Sequence, residues 1–335
     1  MRDVCVVGLG LIGGSVLRAA VASGRTAWGT TASPADAASA VADGYQVDGL
    51  AEALRHAAER DALVVLAVPL PAVDDVLREI ADIAPRCRLT DVVSVKAPVA
   101  ESVRRWLPEA RYVGGHPMAG TAESGWRAGS ATLFRAAAWV VITENGLDQE
   151  VWREVVSLAV DVGAQVVPAC ATDHDAAVAR ISHLPHVLAA VLASVGADGG
   201  PLALALAAGS FRDATRVAGT DPVLVRGMCE GNRAELLGAV DDALGRLGAA
   251  RGALASTGSL RATLDAGHDA RLALDTTRGA SHRRIDVDLT AERALRQLCD
   301  LGRQGARIVA LHDGTAHVAL PETVLPEAAP PETRG

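Results

Sequence analysis

A short apolar run, Val4-Cys5-Val6-Val7, breaks directly into Gly8-Leu9-Gly10-Leu11-Ile12-Gly13, after which a helical pattern runs through Ser15, Leu17 and Val21 to Gly24. A strand that turns through three glycines into a helix constrains the fold more than any other stretch of this chain. Gly8 permits a tight turn, Gly10 lets the backbone approach a pyrophosphate, and Gly13 allows close helix–strand packing. The helix N-terminus adds amide donors and the positive end of its dipole. The competing reading is a glycine-rich linker with no ligand. All three glycines and both flanks fit the dinucleotide pattern, so Gly8, Leu9, Gly10, Leu11, Ile12 and Gly13 are placed at the cofactor.

The rest of the first half repeats the strand–helix rhythm. Extended stretches are predicted at 26–31, 61–68, 88–93, 111–114, 138–143 and 164–168, with helical segments between most of them. The run at 61–68 is apolar without alternation, as in a strand buried on both faces. This implies an α/β fold, a doubly wound parallel (Rossmann) sheet, over residues 1–170. From Thr172 the pattern turns helical. A helix over 173–195 carries a kink at Pro185, a short one covers 201–208, and 221–255 reads as one helix capped by Asp221 with Pro222 in its first turn. Residues 171–255 form a mostly helical second domain. The remainder, 256–335, is polar and Arg-rich, and 283–289, 290–302 and 306–320 predict a small α+β appendage of strand, helix and hairpin. The last 14 residues concentrate Pro and Glu and are expected to be disordered.

Composition excludes several classes. A net charge of −8 over 335 residues argues against a nucleic-acid-coating role. The five cysteines are scattered without metal or redox spacing, which fits reduced thiols in a cytoplasmic protein. No signal-peptide pattern opens the chain, and no uncharged run reaches membrane-spanning length. Of 32 basic side chains only Lys96 is a lysine, so it is a candidate for something arginine does not do.

Ligands of an open α/β sheet bind outside the carboxyl ends of its strands. At the end of the second strand, Trp28 to Ser33 includes neither an acid nor an arginine. Thr31 and Ser33 are suited to bond either form of the ribose, leaving NAD or NADP open. Two further strand ends are polar: Asp91-Val92-Val93-Ser94-Val95-Lys96 and Gly114-Gly115-His116-Pro117-Met118-Ala119-Gly120. They bring Ser94 and His116 together as catalytic candidates, a neutral imidazole being suited to take a hydroxyl proton as hydride leaves. His183 and His186 lie three apart on one helical face. No Glu or Cys at ligand spacing completes a metal site, so none is expected. Arg212 and Arg216, ahead of a capped helix, suit an anionic substrate, or else form salt bridges with Asp213.

Five segments in this order, 8–15, 91–96, 116–125, 181–186 and 211–222, make the chain resemble the prephenate/arogenate dehydrogenases of tyrosine biosynthesis from about residue 3 to 255. The resemblance implies a nucleotide-binding domain followed by a helical domain through which two chains form a homodimer. It also implies NAD(P)-dependent oxidative decarboxylation of prephenate to 4-hydroxyphenylpyruvate, or of arogenate to tyrosine. By the same resemblance His116 is the base at the C4 hydroxyl and Ser94 orients it. Arg216 binds a substrate carboxylate, and His186 and His183 help to place the substrate. At position 122 the chain has Ala where some prephenate-preferring relatives have Glu or another polar residue. A β-hydroxyacid-type oxidoreductase would need a lysine entering the second domain, and there is none. A non-catalytic dinucleotide sensor would have lost His116 or Arg216, and both are present.

Overall fold

The computed structural model describes residues 1–121 and 123–322, so position 122 and the Pro/Glu-rich end lie outside the described residues. Five parallel strands form one half of the sheet: β1 Val4–Val7, β2 Ala27–Thr30, β3 Leu63–Leu66, β4 Arg88–Asp91 and β5 Arg111–Pro117, in the order β2-β1-β3-β4-β5. Helices α1 Leu11–Ala22, α2 Pro34–Ala42, α3 Leu50–Glu59, α4 Val73–Ile83 and α5 Ala97–Trp106 connect them. Both faces are covered, as the uninterrupted apolar strands require. Val4 and Val6 point into one buried layer with α1, while Cys5 and Val7 point into the other with α3 and α4.

The parallel order breaks at β6 Ala138–Ile142, which runs antiparallel to β5 and parallel to β7 Gln165–Ala169, the two being joined by α6 Gln149–Asp161. The long segment after His116 makes this reversal. It folds back over α1, where Trp126 is buried under Arg18 at 3.4 Å and Ser130 N–H donates to Ser15 Oγ at 3.0 Å.

The helical region comprises α7 Ala171–Val178, α8 Leu184–Asp198, α9 Gly200–Ala205, α10 Gly209–Thr215, α11 Pro222–Gly231, α12 Arg233–Thr257 and α13 Arg261–Gly279. The kink expected at Pro185 takes the form of a π turn at Ala179–His183 between α7 and α8. Proline has no N–H to give and its ring crowds the carbonyl four residues back, so the widened turn relieves both. The single helix expected over 221–255 is two helices. Asp221 does cap the first, accepting from Val223 N–H at 2.8 Å, but the chain breaks at Asn232, whose side chain is used elsewhere. Helix α13 was not expected from its polar sequence.

The C-terminal unit also differs from expectation. The strand β8 His282–Asp288, helix α14 Ala294–Arg303 and hairpin β9 Arg307–His312 and β10 Thr315–Pro321 form the predicted strand, helix and hairpin. They are not an appendage. β9 pairs with β7, giving one ten-stranded sheet, and Leu298, Ile308 and Val318 share a core with Trp139 and Trp152. Helix α7 with α8 is long and apolar enough to cross a membrane by length and composition, which the sequence reading did not anticipate, and only 22% of that window is buried.

Gly302 of α14 sits where a Cβ would lie 1.8 Å from the Pro168 carbonyl oxygen. Gly→Ala inside a helix ordinarily stabilises by about 1 kcal/mol. Here Gly302→Ala is expected to destabilise by roughly 1–3 kcal/mol in urea unfolding, because α14 must move off β7.

Candidate active site

Local sequence fixes the cofactor end. Gly8 has φ +101°, and a Cβ there would lie 2.4 Å from Ala67 O, while one on Gly13 would lie 1.9 Å from Gly8 O. A Cβ on Gly10 would meet nothing within 4 Å. Internal packing therefore demands glycine at positions 8 and 13. At Gly10 the glycine leaves open space above the N-terminus of α1, which has no side-chain cap. A turn kept bare beside free amide donors fits a dinucleotide pyrophosphate. At the end of β2, Ser33 Oγ caps α2 by accepting from Asp36 N–H at 3.2 Å, and Thr31 Oγ1 accepts from Ser33 N–H at 3.3 Å. Both hydroxyls already hold the local turn, and each keeps an O–H to offer.

His116 lies on β5 near its carboxyl end and is half-buried. Its Nδ1 is 2.8 Å from His174 Nε2, and His174 Nδ1 is 2.7 Å from Asp175 Oδ1. A carboxylate only accepts, so His174 carries its proton on Nδ1 and accepts on Nε2. His116 must then donate from Nδ1, which leaves its Nε2 lone pair unprotonated. The tautomer follows from the network and not from an observed hydrogen. Burial, with repulsion from His174, Lys96 and His183, pushes the His116 pKa well below 6.5. The ring is thus neutral and basic at Nε2 at neutral pH.

Asp175 anchors the chain of bonds. Oδ1 accepts from Lys96 N–H at 2.9 Å and Oδ2 from Ala97 N–H at 2.8 Å, which caps the start of α5. Burial alone would raise its pKa, but the bonds from His174 and the two amides outweigh burial and hold it below the usual carboxylate range. Asn232 explains the broken helix: its Nδ2 donates to Asp175 O at 2.7 Å and approaches His183 Nδ1 at 3.2 Å. His183 therefore accepts on Nδ1 and bears its proton on Nε2, a buried donor with no partner among the described residues. Burial lowers the His183 pKa to about 4.

Lys96 is almost fully buried. Its ammonium pairs with Asp91 and donates to Gly115 O at 2.5 Å, while Asp91 also accepts from Val93 N–H at 2.8 Å and Tyr112 Oη–H at 2.6 Å. Burial lowers the lysine pKa and Asp91 opposes it. The sole lysine thus ties the end of β4 to the residue preceding His116.

The remaining candidates are distributed as follows. Ser94 is half-buried in the β4–α5 turn and makes no hydrogen bond within the described residues. His186 donates from Nδ1 to Ser182 O at 2.9 Å, leaving Nε2 as an acceptor. Arg216 opens a short 3₁₀ turn packed on α8, and Arg212 lies on α10. Both arginines are exposed and form no ion pair among the described residues, so the salt bridge with Asp213 is absent. The sequence reading missed His174, Asp175 and Asn232. The available signal was the acid- and His-rich stretch Thr172 to Asp175 opening an apolar helix, and Gly231-Asn232 interrupting one.

A bare glycine turn under a Rossmann sheet, a neutral imidazole at its strand ends and a helical domain closing over them define a two-domain NAD(P)-dependent dehydrogenase. Family models described as the prephenate dehydrogenase nucleotide-binding domain and dimerization domain match residues 16–168 and 170–259. The chain belongs to the prephenate dehydrogenase family. It is 32% identical to prephenate dehydrogenase of Bacillus subtilis over 251 residues, covering 72% of this chain and 67% of that one. It is 30% identical to that of Lactococcus lactis, covering 67% and 63%. Among solved structures, a prephenate dehydrogenase candidate from Corynebacterium glutamicum is 45% identical with TM-score 0.86, covering 91% of this chain and 98% of that one. An arogenate dehydrogenase of Synechocystis is 29% identical with TM-score 0.66, covering 80% and 98%.

Removing one partner of a buried ion pair leaves the other uncompensated, at a cost of about 3–5 kcal/mol. Lys96→Met is therefore expected to lose stability in that range, and Lys96→Arg to be destabilised too because a planar guanidinium does not reproduce the ammonium's bonds to Asp91 and Gly115 O. Urea unfolding checks both. A loss below about 1 kcal/mol for Lys96→Met would remove the structural role.

Proposed function

We propose that this chain oxidatively decarboxylates prephenate, with His116 as the base. The observation that carries the reading is the Asp175–His174–His116 chain of hydrogen bonds, which leaves His116 Nε2 unprotonated at the carboxyl ends of the strands. A bound nicotinamide dinucleotide supplies the hydride acceptor. His116 Nε2 takes the C4 hydroxyl proton as the hydride leaves that carbon. The charge gained by the imidazole is steadied through Nδ1–H on His174, which Asp175 in turn holds. Ser94, with its hydroxyl free, orients the substrate hydroxyl. The C–CO2 bond then breaks, its electron pair entering the ring, and aromatisation drives the step without a further acid.

Arg216, free of ion pairs, binds a substrate carboxylate, with Arg212 as the nearest alternative cation. His186 Nε2 and the unpartnered His183 Nε2–H place the substrate. Arogenate is the second reading, supported by the likeness to the Synechocystis enzyme. The choice between NAD and NADP has no acid or cation at the end of β2 to decide it.

Two copies pair through the helical region. Its apolar side chains Val191, Val195, Leu202, Leu206, Leu244 and Leu247 are all more than half exposed, and a second copy would bury them. The apolar α7–α8 helix is on this reading covered by a second copy and not by lipid, in a cytoplasmic enzyme that binds no nucleic acid.

The test is formation of reduced nicotinamide with prephenate and arogenate, each paired with NAD and NADP. Turnover is expected in at least one mixture, and none in any with cofactor still bound would sink the reading. His116→Asn is expected to lower kcat by roughly 10²–10⁴-fold. Because folding lowers the His116 pKa, the base stays competent as pH falls through 6.5, and the acid limb of kcat/KM is expected below that value.

A further inference from the structure

Cys170 closes β7 and immediately precedes α7, the helix that carries His174 and Asp175. Cys299 lies on α14 of the C-terminal unit. Their sulfurs and a carboxylate oxygen of Asp173 all lie within 4.8 Å of one another. Cys170 is partly exposed and Cys299 is buried. The close seat of Gly302 on Pro168 holds α14 in this position, one helical turn beyond Cys299.

Two chemistries suit such a group. Three donors of this kind are ligands for a divalent cation. Arg303, however, already occupies the cation's place: its Nε donates to Asp173 Oδ2 at 2.6 Å and its Nη2 is 3.7 Å from Cys170 Sγ. A second positive charge would face that guanidinium directly. Two sulfurs this close also need to approach by less than about 3 Å to reach the S–S bond length of about 2.05 Å.

We propose that Cys170 and Cys299 form a reversible disulfide when the protein meets a hydroperoxide, tying the C-terminal unit to the start of the catalytic helix. Cys170, the accessible sulfur, attacks a peroxide oxygen as thiolate. An S–O bond forms, the O–O bond breaks, and the leaving oxygen departs as hydroxide or alkoxide. Cys299 then loses its proton and attacks the Cys170 sulfur. The S–S bond forms, the S–O bond breaks and water leaves. Two electrons pass from the thiol pair to the peroxide.

Burial pushes the Cys299 thiol up to about 11, with Cys170 adding to the rise, which keeps it from attacking the peroxide first. Burial raises Cys87 to about 12, and Cys5 is buried beneath α3, so neither competes for the oxidant. The bridge would not be silent. His174 N–H donates to the Cys170 carbonyl at 3.0 Å, so drawing Cys170 toward α14 displaces the turn that holds His174 against His116.

The test uses the full chain, reduced and then exposed to hydrogen peroxide, with free thiols alkylated before non-reducing digestion and mass spectrometry. The expected product is a Cys170–Cys299 linked peptide, lighter than the two thiol peptides by two hydrogen atoms and lost on adding dithiothreitol. Cys299→Ser is expected to leave a sulfenic acid at Cys170 that dimedone traps, while Cys170→Ser leaves Cys299 unmodified. Recovery of both residues as alkylated thiols after peroxide, or linkage of either to another cysteine, would overturn the proposal. So would stoichiometric zinc in the reduced protein that is lost in both variants. These readouts are masses and metal content, so they stand or fall apart from the substrate assignment.

Discussion

One carboxylate holds the two halves of this molecule in register. Asp175 belongs to the first helix of the helical region, yet its two oxygens accept the amides of Lys96 and Ala97 from the Rossmann sheet and the Nδ1–H of His174. A buried charge is costly unless its lone pairs are filled, and here three donors fill them. The same bonds that make its burial tolerable cap α5, fix the tautomer of His174 and aim that ring at His116. Removing the carboxylate would leave two amides and an imidazole without an acceptor, so the docking of α7 on α5 and the orientation of His116 rest on one group.

A second buried pair works on the other side of His116. Asp91 and Lys96 neutralise each other where β4 ends, and Lys96 also grips the carbonyl of Gly115. A flexible ammonium of small radius suits this place, since it reaches a carboxylate and a carbonyl at once without the fixed geometry of a planar fork. The ammonium also helps to keep His116 neutral, because a charged imidazole would face a fixed cation. Stability and reactivity thus draw on the same ions.

Much of this was legible in the sequence. The glycine turn, the apolar strands and the texture change near residue 170 follow local rules of spacing and burial, and they define the fold. His116 and Ser94 were singled out because strand ends of an α/β sheet are where polar residues stand out, and Lys96 because it is the one lysine among 32 basic side chains. His174 and Asp175 stood at the opening of a helix, where Asp and His are also ordinary first-turn residues, and only tertiary packing shows that both are buried. Asn232 reads as a blemish in a helix until its contacts with Asp175 and His183 appear. The reversal of β6 and the joining of the C-terminal hairpin to β7 depend on strand pairing across long loops, which spacing does not encode.

The central claim is that Asp175, acting through His174, holds His116 as a neutral base with a free Nε2. Nitrogen-15 NMR of the imidazoles at neutral pH reads this directly. The account predicts that His116 is neutral with its proton on Nδ1, and that Asp175→Asn removes this preference. A protonated His116, or one whose proton sits on Nε2, would contradict it.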